Sequence, residues 1–384
     1  MFSIEMLPAQ QGDALWIEYG SEAKPHRILV DGGTPPTVEQ VRSRVLALPK
    51  DQRRFELLIV THIDTDHIGG ILRLLSDKTL GLHFDDVWFN AWPQIQGIGT
   101  GHTLGAKPEP KVDQILGPKD GEILDKLLNL HKGTLNDGWN HAFGTAKDAR
   151  VAIPDTGDLP VVTLKGGMRL TVLGPSLGRL KKLRDEWEKV IRDTKLTDAE
   201  REAIVKKNAA RKGIDLTLGP TIDVKAKAAS KFESDDTPAN GSSIIVLAEF
   251  EKKSALLTGD AYADGIAKGV TRLQAMRGKA GQKLKVDVVK VAHHGSKNNT
   301  SLPELGSLDC KRFLISSNGN IFHHPDVEAI CRILVANGPG VDLGFAYDCP
   351  TTKDWRDPHL QKDKKTGYTT RYPAKAGEGL RTVL

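Results

Sequence analysis

An α/β fold carrying a helical insertion is what this sequence predicts, on three observations. Short apolar strands alternate with helices over most of the chain. Residues 177 to 239 interrupt that alternation with helical spacing followed by a polar stretch. Histidines and aspartates gather directly behind apolar strands, where ligands meet an α/β sheet.

Taken in order, residues 2 to 7, 14 to 19 and 27 to 31 read as strands of an antiparallel meander. The last of them ends in Asp31-Gly32-Gly33, whose glycines permit a tight turn. A helix over 38 to 48, a strand over 55 to 61 and a helix over 68 to 75 follow, and Val87 to Trp92 reads as a further strand. Residues 93 to 118 form a Gly- and Pro-rich loop too long for a plain connection, which suggests a lid. A helix near 120 to 131 and strands at 161 to 165 and 168 to 173 complete a first half spanning 1–176.

In the middle, Leu177, Leu180, Leu183, Trp187, Val190 and Ile191 keep helical spacing. Thr197 with Glu200 makes a capping-box start for a second helix to about Lys212. Residues 213 to 239 are rich in Lys, Ala, Asp and Thr and read as a mobile linker. Residues 177–239 are thus expected to be a helical hairpin inserted into one domain, with a protein as the partner such a hairpin would bind. The second half, 240–348, resumes with strands at 242 to 250 and 254 to 258, a helix at 261 to 276, strands at 286 to 291 and 311 to 316, a helix at 325 to 336 and a strand at 341 to 347. Residues 349–384, with many Lys and Arg, read as a basic surface tail.

Composition narrows the function classes. A chain of 384 residues buries a substantial core, and a formal charge of +5 suits an anionic substrate, nucleic acid included, without by itself marking a nucleic-acid binder. No stretch approaches the roughly 20 apolar residues of a membrane span, and the start lacks a signal-peptide pattern. Cys310, Cys331 and Cys349 are odd in number and widely spaced, so free thiols in a reducing cytoplasm are expected.

The densest chemistry lies in Thr61-His62-Ile63-Asp64-Thr65-Asp66-His67-Ile68-Gly69-Gly70, behind the apolar run Leu57 to Val60. His62 and Asp64, two apart in an extended segment, point to one side, while Asp66 and His67 fall at the turn and face a second ion. Mixed imidazole and carboxylate donors suit a Lewis-acidic divalent cation. The plain alternative is a helix cap, which needs one such residue and not four. Further clusters follow strands: Leu257-Thr258-Gly259-Asp260, Ala292-His293-His294-Gly295-Ser296 and, before a helix, Phe322-His323-His324-Pro325.

These residues, in this order, resemble the metallo-β-lactamase superfamily. More narrowly they resemble the soluble metallo-β-lactamase-like domain of competence protein ComEC, through Gln11-Gly12-Asp13-Ala14, Val30-Asp31-Gly32-Gly33, Asp66-His67-Ile68-Gly69-Gly70, Asn240-Gly241-Ser242-Ser243, Asp260, the 292–296 segment and His324-Pro325. The resemblance covers most of the chain apart from the insertion and the tail. It lacks the membrane channel that accompanies that domain, so a free-standing relative is expected and DNA uptake is not carried over.

The resemblance implies a four-layer αβ/βα sandwich with two divalent ions, zinc or manganese, at one edge of the inner sheets. His62 and Asp64 would hold the first ion, Asp66, His67 and a histidine of the 293/294 pair the second, and Asp260 would bridge them. His293 is taken as the ligand and His294, Ser296 and Asn240 as substrate contacts, with Asn298 as a further donor. Asp66 and His324 are the candidate catalytic residues, His324 protonating the leaving oxygen. The chain departs from the common family pattern in having Asp64 where histidine is usual. For the missing first-ion ligand, Asn240, just ahead of a strand and of Asp260, is preferred over His102 in its glycine-rich loop. An oxygen-rich first site favours manganese or a loosely held zinc.

Two adjacent cations polarise a substrate oxygen and make hydroxide from a shared water. With the N-terminus of the helix near Ile68 also attracting an anion, a phosphodiesterase or nuclease is the expected activity. Hydrolysis of a lactone, thioester or amide, and a metal-stabilised interaction module without catalysis, are the alternatives.

Overall fold

The computed structural model describes residues 1–98, 113–144, 149–193 and 222–384. Alternation of apolar side chains in the first half produces β1 (Phe2–Met6), β2 (Leu15–Gly20), β3 (Pro25–Val30), β4 (Arg54–Ile59) and β5 (His83–Trp88), with helices α1 (Val38–Ala47) and α2 (Thr65–Ser76) between them. The rest of the chain supplies β6 (Val161–Thr163), β7 (Arg169–Gly174), β8 (Ile245–Phe250), β9 (Lys253–Leu257), β10 (Leu284–Lys285), β11 (Val288–Lys290), β12 (Leu308–Asp309), β13 (Arg312–Ile315) and β14 (Val341–Phe345), then β15 (Tyr368–Arg371) and β16 (Leu380–Val383).

The strands form a six-stranded sheet in the order β16-β1-β2-β3-β4-β5, an eight-stranded sheet in the order β15-β14-β13-β11-β9-β8-β7-β6 and a small parallel pair of β10 with β12. Period-two side chains decide what each face meets. Ile17, Ile28, Leu57 and Ile59 of the first sheet share a buried cluster with Val172, Val246, Ala255, Val288 and Leu314 of the second, so the sheets pack face to face. Leu58, between Leu57 and Ile59, points the other way, onto Ile68, Ile71 and Leu74 of α2. Leu256, Phe313 and Ile315 likewise meet Ile266 and Ile330 of the helices Ala263–Met276 and Val327–Asn337. Helix, sheet, sheet, helix is the expected four-layer αβ/βα sandwich.

Three expectations are corrected. Residues 349–384 are no loose surface tail: β15 pairs parallel with β14, and β16 pairs antiparallel with β1, so they close one edge of each sheet. Trp355 and Tyr368 anchor it in the core of the second sheet. Next, Leu177–Asp193 is a helix whose Leu180, Leu183 and Trp187 lie in the same cluster as Ile68 and Ile71. It belongs to the packed framework, and the insertion boundary at 177 falls inside that layer. Residues 197 to 212, the expected second helix, lie outside the described residues, as do His102 and most of the expected lid. Last, the strand placed at Val87 to Trp92 sits earlier, at His83–Trp88. Its acidic Asp85 and Asp86 disguise a strand whose Phe84, Val87 and Trp88 are buried.

Candidate metal centre

Parallel pairing of β3 with β4 and of β9, β11 and β13 brings five strand ends to one edge, and each ends in a polar loop facing the same place. Asp31 follows β3, His62 follows β4, Asp260 follows β9, the 293/294 pair follows β11 and Ser316 follows β13. His293 and His294 both adopt left-handed backbone, φ 46° and 54°, ahead of Gly295 at 86°. Two consecutive non-glycine residues in that region carry a steric cost, which here turns both imidazoles inward.

The hub is Asp260. Its Oδ2 stands 3.3 Å from His67 Nε2, 3.4 Å from His294 Nε2, 3.8 Å from His293 Nε2 and 3.9 Å from His62 Nε2. On one side His62 Nε2 lies 3.5 Å from Asp64 Oδ2, as their spacing predicts. On the other, His294 Nε2 lies 3.4 Å from His67 Nε2 and 3.7 Å from Asp66 Oδ2. The helix-cap alternative is not what Asp64 does: it occupies the N-cap position of α2, yet its side chain makes no capping hydrogen bond. Two glycines let the loops close so tightly. A Cβ on Gly12 would meet the Asp66 carbonyl oxygen at 1.7 Å, and one on Gly70 would meet that of Gly32 at 1.9 Å.

The donor set fits divalent cations. His62 Nε2, Asp260 Oδ1 and Asn240 Oδ1 are buried without a hydrogen-bond partner, a costly state for polar atoms unless something else binds them. Asp13, His67, Asp260 and His294, all buried, present atoms within 4.8 Å of one another. Of these, Asp13 is already held by Lys290 Nζ at 2.5 Å and by Ser316 Oγ, so it stands behind His294 as an outer partner.

Each imidazole is fixed from behind, as metal-ligating histidines are. His67 Nδ1 is 2.8 Å from Asp31, which also accepts from the Thr61 N–H and hydroxyl. His293 Nδ1 is 2.8 Å from Asn299 Oδ1 and 3.5 Å from Asp235. Burial alone would push these imidazoles down. For His67 the Asp260 and Asp31 carboxylates outweigh it and hold the ring well above its ordinary value. For His293, burial is outweighed by Asp260 and Asp235, and the ring rises to about 9. His294 is raised against its burial by Asp260 and Asp13. Burial is likewise overcome at Asp260, whose carboxyl the three histidines hold well below the usual range. Asp66 differs, burial holding it above that range despite His67 and His294.

Other sequence candidates fall as follows. Asn240 is buried and donates from Nδ2 to Asp235 over 2.7 Å. Ser296 Oγ accepts the Asn298 N–H at 3.2 Å and so shapes the turn. The neighbouring Asn299, not Asn298, reaches into the site, donating to Asp235 at 3.0 Å and to the Asp260 carbonyl at 3.1 Å. The His324 ring centroid is 5.2 Å from that of His293, and its Nδ1 lies 3.4 Å from Asp326. Burial holds His324 below its ordinary value, which favours the neutral ring and disfavours proton donation. The N–H groups of His67 and Ile68 both bond the Asp64 carbonyl, so these two are not free to meet an anion.

Sequence reasoning missed Asp235, assigned to a linker, and gave no role to Asp13, Lys290, Asn299 or Ser316. The one local signal was Asp235-Asp236-Thr237-Pro238, an aspartate ahead of a proline-started helix.

Residues 9–159 match the family model of the metallo-beta-lactamase superfamily. That stretch is similar to the superfamily and makes up less than half of the chain. The four-layer αβ/βα arrangement extends beyond that stretch, as the strand order shows. A curated relative, ComE operon protein 3 of Bacillus subtilis (strain 168), is 30% identical over 135 residues, which is 35% of this chain and 16% of that protein. The chain thus spans a small part of that relative's length. Among solved structures, the metallo-beta-lactamase fold protein YhfI from Bacillus subtilis is 11% identical with a TM-score of 0.40, covering 90% of this chain and 97% of its own. A protein of unknown function from Enterococcus faecalis V583 is also 11% identical, with a TM-score of 0.27, covering 98% of this chain and 77% of its own. No helix among the described residues is long and apolar enough to cross a membrane.

Proposed function

We propose that this protein is a metal-dependent phosphodiesterase acting on nucleic acid. The observation that carries the reading is the convergence of four imidazole Nε2 atoms within 3.9 Å of Asp260 Oδ2, with His62 Nε2 and Asp260 Oδ1 buried and unpartnered. His62 and Asp64 would hold one ion, Asp66, His67 and His294 the other, and Asp260 both. Divalent ions bound there, zinc or manganese, would supply Lewis acidity toward a phosphoryl oxygen and acidify a water molecule.

The chain's own residues do the rest. His294 exchanges roles with His293, because its Nε2 faces His67 and Asp66. His293, braced by Asn299 and Asp235 on the side of His324, faces the substrate and offers an N–H to an anionic oxygen. Neutral His324 orients the leaving oxygen. The net charge of +5 favours approach of a polyanion. A reducing, cytoplasmic setting fits the three free cysteines.

The test is a substrate panel of single-stranded DNA, RNA, bis(p-nitrophenyl) phosphate, a lactone and a thioester, each with added manganese or zinc. Metal-dependent cleavage of phosphodiesters ahead of the others is expected. Preferential turnover of the lactone or thioester would reassign the substrate, and no turnover with metal bound would favour a non-catalytic module.

A further inference from the structure

We infer that Lys290 is a positioning residue of this centre, setting through Asp13 and Ser316 which nitrogen of His294 faces the metals. The inference rests on the metal reading above. Lys290 ends β11 with only 1% of its surface exposed, flanked by the apolar residues Val288, Val289 and Val291. Burying an ammonium is costly, and a leucine or methionine would fill the space without that cost. The charge therefore has a use, and the acidic group it meets is Asp13, also 1% exposed, at 2.5 Å. Its other contact is the Val291 carbonyl at 3.0 Å.

The direction of the hydrogen-bond chain follows from the donor inventory. An ammonium has no lone pair, so Asp13 must accept from Lys290. Ser316 Oγ donates its single proton to the other oxygen of Asp13. Having given that proton away, Ser316 accepts from His294 Nδ1, 2.9 Å distant. The proton thus sits on Nδ1, and the lone pair of Nε2 is left on the edge facing His67 and Asp260, each 3.4 Å away. Without the ammonium, Asp13 loses the partner that holds it against Ser316, and the chain that keeps the His294 proton on Nδ1 loses its anchor.

The comparison with His67 shows what is particular here. Its outer carboxylate, Asp31, receives the neutral N–H and hydroxyl of Thr61, at 2.8 and 2.7 Å. Asp13 receives a full positive charge instead.

The test measures manganese and zinc affinity at both positions, with the visible spectrum of the cobalt-substituted protein, for the wild type, Lys290→Met, Asp13→Asn and the double variant. Each single change should weaken one ion by about 10- to 100-fold, the range typical of lost outer partners, and leave the other ion in place. The double variant should be no weaker than Asp13→Asn, because Lys290 acts only through Asp13. Wild-type affinities and spectrum in folded Lys290→Met, or a further loss in the double variant equal to the full Lys290→Met factor, would overturn the inference. Should Lys290→Met alone fail to fold, the pair Asp13→Asn and double variant decides by the same criterion. A wild-type protein that binds no metal would instead refute the metal reading on which the inference stands.

Discussion

The side-chain amide of Asn240 donates to the Asp235 carboxylate over 2.7 Å, and that bond fixes which way the amide faces. Its Oδ1 is left buried and unpartnered, as are His62 Nε2 and Asp260 Oδ1. We therefore expect Asn240→Ala to lose the ion held by His62 and Asp64 while retaining the other, read as metal content after dialysis. His102→Ala, whose position lies outside the described residues, should keep both ions. If Asn240→Ala retains two ions at wild-type affinity, the amide serves only to brace Asp235.

Asp235 itself is barely marked in the sequence, and the reason is physical. Strands and their terminal ligands are local patterns: Leu57 to Val60 followed by His62 and Asp64 can be read in a dozen residues. The brace around His293 is assembled from Asp235, Asn240 and Asn299, which packing brings together across an otherwise polar segment with no apolar periodicity. Likewise Tyr368–Arg371 and Leu380–Val383 look like frayed tail until β14 and β1 are present to pair with them. The 61–70 motif and the Asp260 hub were legible, whereas the split between His293 and His294 depended on two left-handed residues that no spacing rule predicts.

Arg332 ties that brace down. It is 1% exposed and donates to the carbonyls of Lys297 at 2.6 Å, Thr300 at 2.9 Å and Ser230 at 3.2 Å, with no carboxylate among these partners. Arg332→Met leaves these carbonyls without their donor, and each unsatisfied buried group costs about 1–3 kcal/mol. A fall in the urea midpoint with a loss of turnover is expected. Unchanged stability would mean that the 228–231 and 297–300 segments hold together without it.

Trp187 is fully buried against Trp92 and within 2.3 Å of where a Cβ on Gly121 would lie. Trp187→Ala should cost about 3–5 kcal/mol, as large cavities in cores do. A variant of native stability would return the helix Leu177–Asp193 to the status of a dispensable insertion.

Glu304 gives a pH dependence distant from the centre. Burial pushes its carboxyl up to about 8 from 4.5, with the Ser301 N–H its counteracting partner. Between those values the folded protein keeps a proton that the unfolded chain has released, so stability falls as pH rises, by at most about 1.4 kcal/mol per unit. The contribution is complete below the unfolded value and is lost as pH climbs through about 8. Glu304→Gln should flatten this slope in urea titrations at pH 5, 7 and 9. Parallel curves for the two proteins would show that Glu304 is ionised in the fold.

The central claim is that the cluster around Asp260 is a hydrolytic metal centre, and a metal titration of the rate tests it most directly. Metal-stripped wild type and Asp260→Ala are titrated with manganese or zinc while cleavage of bis(p-nitrophenyl) phosphate is followed. The wild-type rate should climb to a plateau near two equivalents, and the variant should fold yet stay at background throughout. A wild type saturated with metal that is no faster than Asp260→Ala would contradict it.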